Sequence, residues 1–230
     1  MKKLAIMGAM QEEIVPLLEY FEDVKTTQFA NNTYYEAKFG DLDVVIAYSK
    51  IGKVFSTLTA STMILKFGCD KLLFSGVAGG INPQLQIGDL IVANKLSQHD
   101  LDITAFGHPH GFVPGGSVYV NTDETLKNIA LDVASANNIK IIEGIIATGD
   151  QFVANESRKE FIEKTFHADA LEMEGASVAV TCDALGVPCL ILRAISDTAD
   201  MDAGFNFDEF LQSSAKKSAD FLIKIIQKIK

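Results

Sequence analysis

The sequence is poor in cysteine and arginine, and it contains no long apolar run. Its three cysteines are scattered and form no CxxC pair: Cys69, Cys182 and Cys189. They predict neither a disulfide framework nor a zinc site, and they fit a reducing, cytoplasmic location. No apolar segment reaches the length of a membrane span, and the run from Leu4 to Met10 is too short for a signal-peptide core.

Basic residues are outnumbered by acidic ones, 20 against 30, which gives a formal net charge of −10. Such a field repels phosphate backbones and anionic lipid surfaces, so we expect neither nucleic acid nor a membrane as a partner. The only arginines are Arg158, expected to be solvated on a charged helix, and Arg193. Because arginine is the side chain that binds phosphate oxygens bidentately, the chain lacks the cationic cradle of a phosphate-using enzyme.

The apolar fraction of 48% suits one well-packed domain over residues 1–230. Short apolar strands alternate with longer amphipathic stretches, a pattern typical of an α/β fold with a parallel or mixed sheet. Strands are predicted over 4–7, 34–39, 42–49, 72–75, 90–93, 139–147 and 189–194, and helices over 12–21, 54–67, 123–136, 157–165, 175–185 and 207–228. Gly40 is expected in a hairpin turn, Gly68 in a left-handed cap and Thr122 as an N-cap.

Glycine or acidic residues follow predicted strands at five places, in the segments 8–10, 76–80, 149–150, 172–174 and 196–197. Ligands collect at the carboxyl ends of strands in open α/β sheets, so these segments predict one site. The glycines of 76–80 lack the GxGxxG spacing of a dinucleotide site; they form either a plain turn or a backbone that a flat ligand approaches closely. The histidines and aspartates of 99–110 have no metal-ligand spacing, so no metal is expected.

Glu172 and Glu174 are separated by one residue at the end of an apolar strand. In an extended chain their side chains point to the same face, where they can accept hydrogen bonds from sugar hydroxyls. The alternative is that one of them is a first-turn acid of the following helix, stabilised by the helix dipole. Arg193, inside another apolar strand, needs a carboxylate partner, and we predict Glu174 for that role.

Seven segments together resemble those of the bacterial 5′-methylthioadenosine/S-adenosylhomocysteine nucleosidases. They are Gly8 to Glu13, Ser49 to Val54, Val77 to Gly80, Asp102 to Gly107, Gly149 to Phe152, Glu172 to Gly175 and Arg193 to Asp197. The resemblance covers residues 8–210. The sequences of segments 49–54 and 74–77 are similar to those of the branch that also cleaves 6-amino-6-deoxyfutalosine in menaquinone synthesis. One departure is Gln11, where many relatives carry an acid; its side chain is expected to face away from the site.

The resemblance implies a nucleoside phosphorylase-like fold, a single three-layer α/β/α domain with a mixed central sheet, assembled as a homodimer. The implied reaction is hydrolysis of the N-glycosidic bond of 5′-methylthioadenosine, S-adenosylhomocysteine, 5′-deoxyadenosine and 6-amino-6-deoxyfutalosine, without a cofactor. A purine nucleoside phosphorylase of the same fold is one alternative. A non-catalytic nucleoside-binding protein, which would need no acid–base pair, is another.

The resemblance also implies roles for individual polar residues. Asp197 would protonate the purine at ring nitrogen 7, and Glu13 would activate the attacking water. Glu174, with Arg193 behind it, would bind the ribose 2′-hydroxyl. An acid on one side of the bond and a base-held water on the other suit a reaction in which charge builds on the purine and the sugar becomes oxocarbenium-like.

The same resemblance places apolar side chains around the rest of the substrate. Met173 would lie against the sugar, Phe152 would stack on adenine, and the backbone of Val153 would read the edge of the base. The 5′ substituent would be surrounded by Met10, Ile51 and Phe207 and, from the neighbouring subunit, by Ile103, Phe106 and Pro114. The implied set is completed by Ala9, Val77, Gly79, Glu172 and Ser196.

Overall fold

Strands and helices alternate along the chain in the computed structural model, which describes residues 3–199 and 203–229. The strands are β1 (Lys3–Gly8), β2 (Glu22–Phe29), β3 (Asn32–Phe39), β4 (Leu42–Tyr48), β5 (Lys71–Gly80), β6 (Leu90–Gln98), β7 (Tyr119–Asn121), β8 (Ile141–Thr148), β9 (Ala170–Glu172) and β10 (Cys189–Asp197). The helices are α1 (Gln11–Leu18), α2 (Lys53–Leu65), α3 (Glu124–Ala136), α4 (Glu156–Phe166), α5 (Gly175–Leu185) and α6 (Ala203–Ile229), with a 3₁₀ turn at Thr104–Phe106.

These strands form one mixed sheet, as predicted. β1 pairs in parallel with both β4 and β5, and the antiparallel strands β3 and β2 extend the sheet beyond β4. On the other side β5, β10, β6, β8 and β9 pair in succession, and β9 pairs back onto β5, so these strands close a ring. Gly79 of β5 lies opposite both Leu171 of β9 and Asp197 of β10. The ring therefore brings the segments 172–174 and 196–197 to the same end of β5.

Helices cover both faces of the sheet, as the alternation along β1 illustrates. Ala5 and Met7 belong to a core cluster that includes side chains of α2 and α5, whereas Leu4 and Ile6 belong to one that includes side chains of α1, α3 and α6. Successive side chains of a strand point to opposite faces, so one strand contributes to two cores. The three-layer α/β/α arrangement is thus confirmed. None of the helices in the described ranges is both long enough and apolar enough to cross a membrane.

The turn and the helix cap that were predicted at two glycines are confirmed. Gly40 connects β3 to β4 with a φ of 60°, and Gly68 follows α2 with a φ of 73°. The predicted cap of α3 is wrong, because the carboxylate of Asp123, not Thr122, accepts from the N–H of Leu126 at 2.8 Å. The Thr122 hydroxyl instead donates to a carbonyl of the neighbouring strand β6 at 2.6 Å.

Three strands run well past the residues predicted for them, including β6, which continues beyond residue 93 to Gln98. β5 continues through Gly80 and β10 through Asp197, so the glycine-rich segment and the Ser196-Asp197 pair lie inside strands and not in loops that follow them. β2, in contrast, was not predicted at all. Nearly all of its residues are exposed, so its sequence shows no apolar alternation.

Candidate active site

A cavity of about 310 Å³ opens where β1, β5, β9 and β10 meet. Its size is that of a small-ligand pocket. Most residues implied by the resemblance line it: Ala9, Met10, Glu13, Ile51, Val77, Gly79, Phe152, Val153, Glu172, Met173, Glu174, Ser196, Asp197 and Phe207. The lining also includes three residues to which no role was assigned, Ala78, Gln151 and Leu171. Ala78 and Gln151 belong to the motif segments 77–80 and 149–152, and Leu171 directly precedes the segment 172–175, so their position in or beside a motif was the available signal.

Glu13, in the first turn of α1, is a buried carboxylate with only 2% of its surface exposed. It accepts hydrogen bonds from the backbone N–H groups of Ala9 at 2.5 Å, Met10 at 3.1 Å and Val77 at 3.1 Å. Burial raises the pKa of Glu13 above its ordinary value, against the opposing effects of the Arg193 charge and of these N–H donors. A raised pKa makes this carboxylate a stronger base than an exposed glutamate.

Asp197 ends β10 on the other side of β5 and is 3% exposed. Its Oδ2 accepts from the hydroxyl of Ser196 at 2.9 Å, and its Oδ1 accepts from the N–H of Ala199 at 2.9 Å. These donors fix the orientation of the carboxyl group at the cavity wall.

The glycines of β5 explain how two carboxyl groups fit against one strand. A Cβ at Gly76 would stand 2.7 Å from Glu13 Oε1, and a Cβ at Gly79 would stand 2.7 Å from Asp197 Oδ1. Both distances are too short for a side chain. The segment is therefore neither a plain turn nor a dinucleotide loop; its glycines leave room for carboxylates.

Arg193 pairs with Glu172, so the predicted pairing with Glu174 is wrong. Its Nη2 donates to Glu172 Oε2 at 2.6 Å, and the guanidinium lies 4.1 Å from the ring centroid of Phe74. β9 ends at Glu172, and Glu174 has left the extended conformation with φ −139° and ψ −37°. The two glutamates therefore point to different partners, although both line the cavity.

Glu172 is also held by the start of α5. Its carboxylate accepts from the N–H of Gly175 at 2.7 Å and from the hydroxyl of Thr148. Glu172 nevertheless lies before Glu174, the N-cap residue, and the first turn of α5 contains no acidic residue, so the interpretation of one glutamate as a first-turn acid is wrong. Glu172 binds the start of the helix from outside it while it faces the cavity.

Glu174 is buried and accepts from the N–H of Gly52 at 2.8 Å. Burial, followed by the negative charge of Glu172, raises the pKa of Glu174 to about 8, although the Gly52 donor and Arg193 act in the opposite direction. The cavity therefore favours the protonated form of this carboxyl group more than solvent does.

The mouth of the cavity is apolar and open. The rings of Phe152 and Phe207 meet edge to face with centroids 5.6 Å apart. Ile51 and Phe152 remain 54% and 51% exposed. The Phe152 ring is thus available to a flat ligand.

Four of the implied residues lie outside the lining of this cavity. Arg193 lies behind Glu172, while Ile103, Phe106 and Pro114 belong to the loop between β6 and β7, where Phe106 is 80% exposed. Gln11 is also outside the lining, as expected, and donates to the hydroxyl of Tyr48 at 3.1 Å.

Arg158 was predicted to be solvated, and this prediction is wrong. Its Nη2 lies 3.0 Å from Nδ1 of His99 and also donates to the His99 carbonyl. Burial, with the Arg158 charge, lowers the pKa of His99 to about 4, so the ring is neutral at pH 7. In residues 3–199 and 203–229 no group of three His, Cys, Asp or Glu side chains is arranged to hold a metal ion.

Comparisons with known proteins identify the family of the chain. The model of the phosphorylase superfamily matches residues 3–227. An aminodeoxyfutalosine nucleosidase of Campylobacter jejuni is 60% identical over the full length of both chains. A 5′-methylthioadenosine/S-adenosylhomocysteine nucleosidase of a Geobacillus strain is 37% identical over 99% of both.

A crystal structure shows that the fold is also shared with such a nucleosidase. The structure of a Helicobacter pylori methylthioadenosine/adenosylhomocysteine nucleosidase mutant, with 5′-methylthioadenosine in its active site, superposes with a TM-score of 0.98 at 48% identity over 99% of each chain. The chain therefore belongs to the phosphorylase superfamily and, within it, to the family of the methylthioadenosine/adenosylhomocysteine and aminodeoxyfutalosine nucleosidases.

Proposed function

We propose that this protein is an N-glycosyl hydrolase that releases adenine from 5′-substituted adenine nucleosides, including 6-amino-6-deoxyfutalosine. The observation that carries the proposal is the pair of buried carboxyl groups, Glu13 and Asp197, held on either side of β5 in one mostly apolar cavity. No arginine side chain lines the cavity in the described part of the chain. Phosphate would find no cationic cradle there, and Glu13 would repel it, so water is the better nucleophile.

In the proposed mechanism Asp197 donates a proton to nitrogen 7 of the purine. The Ser196 hydroxyl and the Ala199 N–H hold the carboxyl group for that transfer. Glu13 accepts a proton from water as the water attacks the sugar carbon, and its raised pKa favours this step. Negative charge on Glu13 also stabilises the developing sugar cation.

The sugar would be bound by Glu174 at its 2′-hydroxyl and by Met173 at its face. Arg193 supports Glu174 indirectly, because Glu172 accepts from Arg193 and from the N–H of Glu174 at 3.2 Å. Phe152 would stack on the base.

The base edge and the 5′ substituent complete the proposed set of contacts. The backbone of Val153 would bind the edge of adenine. Met10, Ile51 and Phe207 would surround the 5′ substituent, so a thioether is preferred to a phosphate.

We further propose a homodimer, in which Ile103, Phe106 and Pro114 complete the partner's 5′ pocket. Exposed apolar side chains support this assembly, since Val54, Leu58 and Leu65 share one face of α2 and are 75%, 44% and 71% exposed. Such a patch is typical of an interaction surface.

The remaining parts of the proposal are a single nucleosidase domain over residues 1–230, no cofactor, no nucleic-acid or membrane partner, and a cytoplasmic location. Three free, buried cysteines suit a reducing compartment.

Adenine release by the purified protein tests the proposal. The substrates are 5′-methylthioadenosine, adenosylhomocysteine, 5′-deoxyadenosine, aminodeoxyfutalosine, adenosine and AMP, each with and without phosphate. We expect free sugar, no phosphate dependence, methylthioadenosine preferred over adenosine, and very slow AMP cleavage. Phosphate-dependent sugar phosphate would indicate a phosphorylase, and binding without adenine release would indicate a nucleoside-binding protein.

A further inference from the structure

The N-terminus of α2 has no capping side chain of its own. Its first two N–H groups donate to carboxylates from other parts of the fold: Gly52 to Glu174 Oε1 at 2.8 Å, and Lys53 to Asp150 Oδ1 at 2.8 Å. Free N–H groups at a helix start need acceptors, and the helix dipole favours negative charge there. The turn that donates to Glu174 is therefore held in place by Asp150.

Asp150 is itself held by a second pair of contacts. Its N–H donates to Asp100 Oδ2 at 2.8 Å, and Asp100 Oδ1 accepts from Lys53 Nζ at 2.7 Å. Lys53 thus binds Asp150 through its backbone and Asp100 through its side chain. These three residues form a closed set of hydrogen bonds, which we call the Lys53–Asp100–Asp150 ring.

The ion pair of the ring is shielded and electrostatically favourable, whereas Asp150 itself is exposed. The side chains of Lys53 and Asp100 are only 19% and 16% exposed. Although burial acts to raise it, the pKa of Asp100 is lowered by the hydrogen bonds from Lys53 and from the Asp150 N–H. Charged hydrogen bonds of this kind are stronger than neutral ones.

The backbone around Gly52 is shaped to receive the ring. Gly52 has a φ of 99°, and a Cβ there would stand 2.9 Å from Asp150 Oδ1. Lys50, two residues earlier, has a φ of 73°, which is unusual for a residue with a side chain. Such conformations persist only where the surrounding contacts enforce them.

The ring also reaches the opposite wall of the cavity. Asp150 is followed directly by Gln151, Phe152 and Val153, all of which line it. A single set of hydrogen bonds therefore joins the turn that holds Glu174 to the segment that carries Phe152.

We propose that the Lys53–Asp100–Asp150 ring is a positioning device for nucleoside binding, and that Asp150 is its central positioning residue. It keeps the Gly52 N–H on Glu174 and sets the distance between that carboxyl group and the Phe152 ring. The inference rests on the proposed function, in which Glu174 binds the ribose 2′-hydroxyl and Phe152 the base.

The test compares Asp150→Ala with Asp150→Asn, which keeps an oxygen that can accept from the Lys53 N–H. Asp132→Ala, which removes an exposed carboxylate of α3, is the matched control. For each full-length protein we would measure the melting temperature, kcat and KM for 5′-methylthioadenosine, the preference over its 2′-deoxy analogue, and the pH profile of kcat/KM.

For Asp150→Ala we expect KM to rise roughly tenfold or more, kcat to change less, and the preference for the 2′-hydroxyl to fall. Losing the Gly52 donor should raise the pKa of Glu174 further, so the acid limb of kcat/KM moves to higher pH. Glu172, Glu13 and Arg193 also face Glu174 and are unchanged in the variant. Asp150→Asn should restore most of these properties, and Asp132→Ala should match the wild type.

A variant that melts earlier but keeps the wild-type 2′-hydroxyl preference and pH profile would show that the ring is only structural and overturn the inference. If Asp150→Ala does not fold, Asp100→Asn takes its place, and an unchanged pH profile and KM there would overturn it equally. A wild type that releases no adenine from any nucleoside would instead contradict the proposed function. The two failures are therefore distinct.

Discussion

The floor and the mouth of the cavity are built differently. On the floor are Glu13, Glu172 and Asp197, with Arg193 behind Glu172; all four are less than 8% exposed and are held by backbone groups or by each other. At the mouth, Ile51 and Phe152 are about half exposed and lie on loops. The polar groups are thus preorganised by one chain, whereas the apolar contacts need a ligand or a partner subunit to be complete.

The difference has a physical origin. A buried carboxylate is expensive unless donors surround it, so the fold must fix each one before substrate arrives. Apolar surface carries no such requirement, and its burial under a ligand or a partner subunit lowers the free energy. Changes on the floor should therefore alter chemistry or folding strongly, and changes at the mouth should alter only affinity and selectivity.

Asp197→Asn should give the largest effect. The amide keeps the shape of the carboxyl group but cannot donate the proton, so kcat should fall by roughly 10²- to 10⁴-fold. Nucleoside binding, measured by calorimetry, should be nearly unchanged. Turnover close to the wild type would remove Asp197 from the mechanism.

Arg193→Met should be strongly destabilising, because it leaves Glu172 buried without its cation. Breaking a buried pair in this way typically costs about 3–5 kcal/mol of the free energy of unfolding, to be measured by urea denaturation. The matched control is Lys164→Met, which removes an exposed ion pair of the same 2.6 Å length and should change nothing measurable. Equal effects of the two variants would contradict the expected difference between the buried and the exposed ion pair.

Glu174→Gln should change the pH dependence of stability. The pKa of Glu174 is raised from 4.5 to about 8, so the folded protein binds this proton more tightly than the unfolded chain does. The resulting stabilisation is complete below pH 4.5 and is lost as the pH rises to about 8. Glutamine does not titrate. Between pH 5 and 8, the free energy of unfolding of the ligand-free variant should therefore decline less steeply with pH than that of the wild type.

The control for this variant is Glu163→Gln, which changes an exposed glutamate of α4 and should leave the pH slope intact. The same Glu174→Gln protein should bind substrate and its 2′-deoxy analogue with similar affinity. A pH slope like that of the wild type would show that Glu174 is not the titrating group.

Phe106→Ala should have the smallest effect, since it alters only the mouth. The proposed partner contact covers part of the methylthio group, which is worth about 1 kcal/mol, so the preference for methylthioadenosine over adenosine should fall roughly three- to tenfold. Val24→Ala, at an exposed position on β2, should leave it unchanged. An active monomer that is indifferent to Phe106 would contradict the shared pocket.

Residue patterns and family motifs were enough to predict the alternation of strands and helices, the mixed sheet and nearly the whole lining of the cavity. Apolar periodicity identifies buried elements, so β1, α5 and the β3–β4 hairpin were predictable, whereas the exposed strand β2 was not. The family resemblance also assigns roles to individual residues of its motifs. Asp197 and Glu13 were therefore accessible to sequence reasoning.

Which charged groups are in contact became known from the folded chain alone. Arg193 pairs with Glu172 and not Glu174 because β9 ends at Glu172 and the chain bends directly after it, a change that no residue pattern predicts. In the same way, Asp150 reaches Lys53 across 97 positions of sequence. Apolar burial is a property that each segment carries in its own composition, but a hydrogen bond requires atoms from separate segments to meet within about 3 Å, and only the folded chain sets that distance.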